Sequence, residues 1–141
     1  MKKLGIIAAL PAEAKCFHTT KINLKSPFEI EKSIFLCISG IGYKSSLNAA
    51  KELIKLNVDA IISWGIAGAT CDLVNTGDII LAKSIKNHKN IYSTSVKWRK
   101  KIIKHFKDSS LNILSEDIVS LEEVCNTPIK KIELFKKTKA V

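Results

Sequence analysis

Short apolar runs alternate with amphipathic stretches along the 141 residues of this chain. The runs at residues 3–10, 34–39 and 59–64 are nearly free of polar side chains, which is typical of strands buried on both faces of a sheet. Residues 45–56 place Leu47, Ala50 and Ile54 on one stripe and most charges elsewhere, so they predict an amphipathic helix. Another strand is predicted at residues 78–82, after a turn that ends at Gly77.

The same alternation continues in the second half of the chain. Residues 95–106 predict a helix, and either of two apolar clusters within residues 112–120 is a candidate strand. Thr127 and Pro128 form an N-cap and first-turn signature for a last helix. Its buried stripe would consist of Ile129, Ile132 and Phe135. The order of elements predicts an α/β fold, a mainly parallel or mixed central sheet flanked by helices, as a single domain over residues 1–141.

The composition is that of an ordered globular protein, with 46% hydrophobic and 26% charged residues. No apolar run approaches the roughly 18 residues of a membrane span, so no membrane partner is predicted. Lys2, Lys3 and the apolar stretch after them imitate a secretion signal, but Pro11 and Lys15 interrupt that pattern. A buried first strand explains the same residues, and we predict a cytoplasmic protein.

The four cysteines lack the paired spacing of a zinc site or a disulfide framework, so neither metal nor cofactor is predicted. The net charge is +10, and residues 79–107 contain nine basic residues and no acidic one. Such a block is compatible with nucleic-acid binding by phosphate neutralisation. The composition favours a solvated helix face instead, because Arg99 is the only arginine and bidentate base recognition prefers arginine.

Ligands of α/β sheets bind beyond the carboxyl ends of the strands. Three such ends are predicted here, and the loops at residues 39–42 and 65–69 are made of glycine and small or apolar residues. Backbone amides can approach a ligand closely there because glycine has no side chain. The stretch GIGYKS nearly matches the dinucleotide-binding pattern G-x-G-x-x-G, but Ser45 replaces the third glycine.

Four blocks in order, GIIAALPAEA, SGIGYKSSLNAA, DAIISWGIAGA and NTGDIILA, resemble the purine and uridine phosphorylase superfamily. The resemblance is nearest to its methylthioadenosine/S-adenosylhomocysteine nucleosidase and related nucleosidase-like branches. It implies a phosphorylase-like three-layer fold and cleavage of the N-glycosidic bond of a purine nucleoside, without a cofactor. Hydrolysis is favoured over phosphorolysis, because no arginine lies in the first two loops to hold phosphate.

The resemblance also assigns site residues. Glu13 matches the position that activates water, although an acidic residue at a helix start is also explained by the helix dipole. Nucleoside-binding positions match Ala9, Ile41, Gly42, Ile66, Ala67, Gly68, Val124 and Cys125. Trp64 and Ile66 depart from the family pattern, which often has small or hydroxyl residues there.

The family uses two further acidic groups, one for the ribose and one for the base, and the resemblance places both beyond residue 141. We therefore expect a C-terminally shortened member with weak or no activity alone. A homodimer or a complementing C-terminal polypeptide is a predicted partner. The alternative is a non-catalytic nucleoside-binding or interaction module derived from the same family.

Overall fold

The computed structural model describes residues 2–17, 24–87 and 89–141. The chain divides into two compact units, Met1–Ala67 and Gly68–Val141. The single domain expected from the sequence stays a prediction. Within the described ranges, no helix has the length and apolar character needed to cross a membrane.

The first unit is built on a four-stranded sheet with the order β2-β3-β1-β4. Its elements are β1 (Leu4–Ala8), α1 (Pro11–Ala14), β2 (Phe28–Glu31), β3 (Ile34–Ile38), α2 (Tyr43–Lys55) and β4 (Ala60–Trp64). β1 pairs in parallel with both β3 and β4, whereas β2 joins β3 as an antiparallel edge strand. The carboxyl ends of β1, β3 and β4 therefore lie at one edge of the sheet, as predicted.

The two faces of this sheet carry separate apolar clusters. One contains Ile6, Ala8, Ala14, Leu36 and Ile38, and the other joins Ile7 and Cys37 to Ala49 and Leu53 of α2. Burial is the main reason that the pKa of the Cys37 thiol is raised, and the nearby charge of Glu52 adds to it.

The predicted inward stripe of α2 is correct for Ala50, which packs against the second cluster, and wrong for Leu47 and Ile54. Ala49 and Leu53 are buried, whereas Leu47 and Ile54 are exposed. The reason lies in β1, where Gly5 has no side chain and a Cβ built on it would lie 2.9 Å from Leu53 Cδ1. Leu53 packs into the space that Gly5 leaves, and this selects the face of the helix that contacts the sheet.

The second unit contains two small sheets and two helices. Its elements are β5 (Ile79–Ile80), β6 (Ser84–Lys86), β7 (Ile91–Ser93), α3 (Val96–His105), β8 (Ile113–Leu114), β9 (Ile118–Val119) and α4 (Pro128–Thr138). β5 pairs in parallel with β8, and the other sheet has the order β7-β6-β9 with both antiparallel and parallel pairs. The predicted fold class, α/β with mixed strand directions, is confirmed.

Both helices of the second unit begin at side-chain caps. The hydroxyl of Ser95 accepts from the N–H of Trp98, and that of Thr127 accepts from the N–H of Lys130, which satisfies amides that lack an intrahelical partner. The predicted buried stripe of α4 is wrong for Ile129 and Ile132, which are exposed.

Candidate active site

Glu13 lies in the first turn of α1, which begins directly after β1. Its carboxylate oxygen Oε2 accepts hydrogen bonds from the backbone N–H groups of Ala9 and Leu10, each at 3.0 Å. The bond to Leu10 caps the helix, since an acidic residue at the third helical position can reach back to the N-cap amide. Glu13 therefore has the helix-start role that its sequence position suggested.

The other carboxylate oxygen reaches the end of a second strand. Oε1 accepts from the N–H of Ile66 at 2.9 Å, two residues after β4 ends. A Cβ built on Gly65 would lie 2.6 Å from the same oxygen. Gly65 lies outside the left-handed region, so the close approach of the carboxylate, and not the backbone conformation, requires glycine at this position.

The carboxylate of Glu13 is thus held by three backbone donors from two strand ends. A carboxylate offers about four lone-pair sites, two on each oxygen. Donors from the described residues occupy both sites of Oε2 and one site of Oε1, and among these residues one acceptor site on Oε1 is left. This remaining site can bind one water molecule or one hydroxyl group of a ligand.

The end of β3 joins the same region through backbone hydrogen bonds. The N–H of Ser39 donates to Ala8 O at 2.9 Å, and the N–H of Gly40 donates to Ala9 O at 3.0 Å. Gly40 and Gly42 have φ angles of 82° and 99°, a region that side chains disfavour. The glycines of this loop are therefore explained by backbone conformation.

The predicted site residues of the first unit lie at these strand ends, where Ala9 and Glu13 are half-buried and the side chains of Ile41, Ile66 and Ala67 are exposed. Ile41 is 71% exposed and Ile66 is 88% exposed, and Ala67 next to it is exposed as well. The structure therefore joins Ala9, Glu13 and Ile66 by direct hydrogen bonds and leaves apolar side chains uncovered beside them.

Trp64, the last residue of β4, also contacts Glu13. Its indole Nε1–H donates to the main-chain oxygen of Glu13 at 3.2 Å. The ring meets the ring of Phe17 edge-on, with centroids 5.3 Å apart and planes 73° apart. Trp64 and Gly65 both act on Glu13, and neither was among the predicted site residues. In the sequence, the only signal at Trp64 was its departure from the family pattern. No sequence signal predicted the contact between Gly65 and Glu13, because that contact forms only in the fold.

The remaining predicted residues, Gly68, Val124 and Cys125, belong to the second unit. A Cβ on Gly68 would make an ordinary contact with Lys131 Nζ at 3.5 Å. Val124 is 81% exposed, and together with Cys125 it lines a cavity of about 420 Å³ beside α4. The wall of this cavity also includes Glu122, Glu123, Lys130 and Glu133.

A polar cluster connects the strands of the second unit to the end of α4. Lys86 Nζ lies 2.9 Å from Asp117 Oδ2 and donates to Thr138 O at 2.7 Å, and the Ser84 hydroxyl donates to Asp117 Oδ1 at 2.8 Å. The hydrogen bonds from Lys86 and then Ser84 lower the pKa of Asp117. Lys83 pairs with Glu116, so two cations of the basic block are neutralised in the fold.

No group of three or more His, Cys, Asp or Glu side chains in residues 2–17, 24–87 and 89–141 is placed to hold a metal ion. Among the described residues, the carboxyl ends of β1, β3 and β4 bring together the Glu13 carboxylate, backbone amides and apolar side chains. Such a set can accept a proton and can line a site for a flat or sugar-like ligand.

Comparison with known proteins agrees with this arrangement. The family model for the phosphorylase superfamily matches residues 3–125. A 5'-methylthioadenosine/S-adenosylhomocysteine nucleosidase of Maridesulfovibrio salexigens is 30% identical over an alignment of 104 residues, which covers 61% of this chain and 42% of the relative. The chain therefore spans less than half the length of this curated relative.

Solved structures share the fold at lower identity. The nucleosidase of the same name from Helicobacter pylori is 18% identical with a TM-score of 0.83, over 99% of this chain and 72% of that chain. Futalosine hydrolase of H. pylori is 17% identical with a TM-score of 0.83, over 99% of this chain and 74% of that chain. The S. pneumoniae nucleosidase is 21% identical with a TM-score of 0.83, over 99% of this chain and 73% of that chain. One structure of the H. pylori nucleosidase, a mutant, holds 5'-methylthioadenosine in its active site.

This chain belongs to the phosphorylase superfamily, because the family model matches most of its residues. The shared fold agrees with this assignment. The curated relative that it matches is a methylthioadenosine/S-adenosylhomocysteine nucleosidase, the branch to which the sequence blocks are most similar.

Proposed function

We propose that this chain hydrolyses the N-glycosidic bond of a purine nucleoside such as methylthioadenosine. Membership of the phosphorylase superfamily supports this proposal, as does the similarity to a curated methylthioadenosine/S-adenosylhomocysteine nucleosidase. The observation that carries it is the carboxylate of Glu13, fixed by three backbone amides with one acceptor site left on Oε1.

In this proposal Glu13 is the general base. A water molecule on the free site of Oε1 gives one proton to the carboxylate while its oxygen attacks C1' of the ribose. The bond from C1' to the base nitrogen breaks, the ribose keeps the hydroxyl group, and the leaving base takes up a proton. The resemblance assigns that second proton to an aspartate without a counterpart among the matched residues, so weak turnover stays a prediction.

The substrate-binding roles remain proposals as well. In the first unit these proposed roles belong to Ala9, Ile41, Gly42, Ile66 and Ala67. The roles of Gly68, Val124 and Cys125, in the second unit, stay predictions of the resemblance. In the first unit, exposed apolar side chains and glycine amides are the groups that suit an uncharged nucleoside. A homodimer or a complementing C-terminal polypeptide also remains a prediction, for which light scattering is the direct measurement.

The test is the release of free base from methylthioadenosine and, separately, from futalosine, with and without inorganic phosphate. We expect adenine release that does not depend on phosphate and that Glu13→Gln reduces by two or more orders of magnitude, because the base is lost. Glu29→Gln is the matched control, since Glu29 Oε1 also accepts a backbone N–H, from Ser33 at 2.7 Å. Equal rates for Glu13→Gln and the wild type would exclude Glu13 as the base.

A non-catalytic nucleoside-binding or interaction module is the second candidate. Three lone pairs of the Glu13 carboxylate accept backbone N–H groups within the fold, which supports this candidate. This structural role alone is sufficient to explain a glutamate at position 13, without any catalysed reaction. Thermal shift with adenine and methylthioadenosine separates the two. Stabilisation by these ligands without base release favours the binding module, and base release favours the enzyme.

A further inference from the structure

The main-chain oxygen of Glu13 obtains its hydrogen bonds from side chains. α1 has four residues, and the N–H of Phe17, which would bond Glu13 O in a longer helix, donates to Ala14 O at 3.0 Å instead. Among the described residues, two side chains donate to Glu13 O: Trp64 through Nε1–H at 3.2 Å and Cys16 through Sγ at 3.1 Å. Because a thiol is a weak donor, the indole is the stronger of the two.

The end of β4 therefore holds Glu13 at two points. The indole of Trp64 binds its main-chain oxygen, and the N–H of Ile66 binds its carboxylate. With both the main chain and the side-chain end attached to one strand, the side chain has little freedom to rotate. The free acceptor site of Oε1 then points in one direction.

α1 depends on such contacts because a helix of four residues is not stable by its own hydrogen bonds. The ring of Trp64 also meets Phe17 edge-on, and Phe17 packs against the buried cluster that contains Ile6 and Leu36. This ring contact stabilises the first unit, whereas the indole N–H is the group of Trp64 that bonds to Glu13.

We propose that Trp64 is a positioning residue for Glu13, and that its indole N–H fixes the α1 turn so that the carboxylate keeps its bond to Ile66. Trp64 acts through Glu13 and does not need to contact the reacting atoms. The inference rests on the proposed role of Glu13 as general base. The competing explanation is that Trp64 only packs against Phe17.

Two substitutions separate these explanations. Trp64→Phe keeps a ring against Phe17 and removes the N–H, whereas Phe17→Leu removes the ring contact and leaves the N–H in place. In Trp64→Phe we expect kcat for methylthioadenosine to fall roughly tenfold with KM within about twofold, because a misplaced base impairs the chemical step. In Phe17→Leu we expect a lower Tm and an unchanged kcat.

A second measurement does not require turnover. The backbone amide proton of Ile66 senses its bond to Oε1, so its NMR resonance should move upfield in Trp64→Phe and stay in place in Phe17→Leu. A wild type that releases no adenine overturns the proposed function, while this resonance still decides the positioning role. If Trp64→Phe leaves both kcat and the Ile66 resonance unchanged, the positioning role is wrong and Trp64 is a packing residue.

Discussion

Gly65→Ala is the substitution that tests the geometry of the candidate site most directly. The new methyl group would lie 2.6 Å from Glu13 Oε1, 2.9 Å from Cδ and 3.2 Å from Oε2. To reach an ordinary contact, Oε1 must retreat from 2.6 Å to about 3.4 Å, a shift of about 0.8 Å. Because the backbone of Gly65 has no positive φ, the substitution adds this clash and no conformational strain.

The shift weakens the bond from Ile66 and redirects the free acceptor site. Hydrogen bonds to charged groups contribute about 1.5–3 kcal/mol, and this one is partly exposed, so we expect the free energy of unfolding to fall by about 1–2 kcal/mol. The Tm should fall by roughly 3–8 °C. A misplacement of about 1 Å can reduce turnover about 100-fold, so the loss of activity should exceed what the loss of stability explains.

The assay is adenine release at 25 °C, where both proteins are folded, together with the Tm and the Ile66 amide resonance. Gly68→Ala is the control for the Tm alone, since Gly68 is a proposed binding residue and a methyl group there meets Lys131 Nζ at an ordinary 3.5 Å. The reasoning is refuted if Gly65→Ala keeps the wild-type rate and the Ile66 resonance, because the carboxylate then does not occupy the position described.

Two further substitutions probe the fold. Gly5→Ala should lower the free energy of unfolding by about 1–3 kcal/mol by overpacking against Leu53, measured by urea denaturation, and a neutral result would mean that α2 can move away without cost. The pKa of Asp117 is lowered, so the folded state favours its ionised carboxylate. The carboxylate therefore stabilises the fold above the ordinary aspartate pKa of about 3.9, and this stabilisation is lost as the pH falls below that value. Asp117→Asn should therefore lower the Tm at neutral pH, and the difference from the wild type should shrink in acid. A difference that is constant across the titration would contradict this assignment.

The central strands and long helices were predictable because their signals are local. β1, β3 and β4 lie within the apolar runs that predicted them, and α2, α3 and α4 begin within two residues of their expected starts. β2, β6 and β7 were not predicted. They have three or four residues and mixed polarity, and such strands form because a neighbouring strand pairs with them and not because of their own composition.

The buried face of α2 shows where sequence periodicity reaches its limit. Tyr43, Leu47 and Ile54 form an apolar stripe as convincing as that of Ala49 and Leu53. The packing of Leu53 against Gly5 distinguishes the buried stripe from the exposed one. This contact depends on where the parallel sheet places Gly5. Periodicity identifies an amphipathic helix, whereas its contact face depends on the shape of the partner.

In the candidate site, too, some features follow from local sequence patterns and others depend on the fold. Positive φ at Gly40 and Gly42 follows from the tight turn that a strand–glycine–helix pattern predicts. The glycine at residue 65 has a different cause, the close approach of a carboxylate 52 residues earlier in the chain, and no local pattern contains that information. The sequence left two explanations for Glu13, a helix-start residue and a base for water.

The geometry makes these two explanations compatible, because one carboxylate caps α1 through Oε2 and retains an acceptor site on Oε1. Substitution of Glu13 itself therefore removes a structural acceptor and a candidate base together, and a loss of activity in Glu13→Gln alone cannot separate them. Gly65→Ala and Trp64→Phe keep the carboxylate group of Glu13 and change only its position and direction. If turnover falls in both variants while most of the fold's stability remains, the orientation of the carboxylate, and not its presence as a cap, is what the reaction requires.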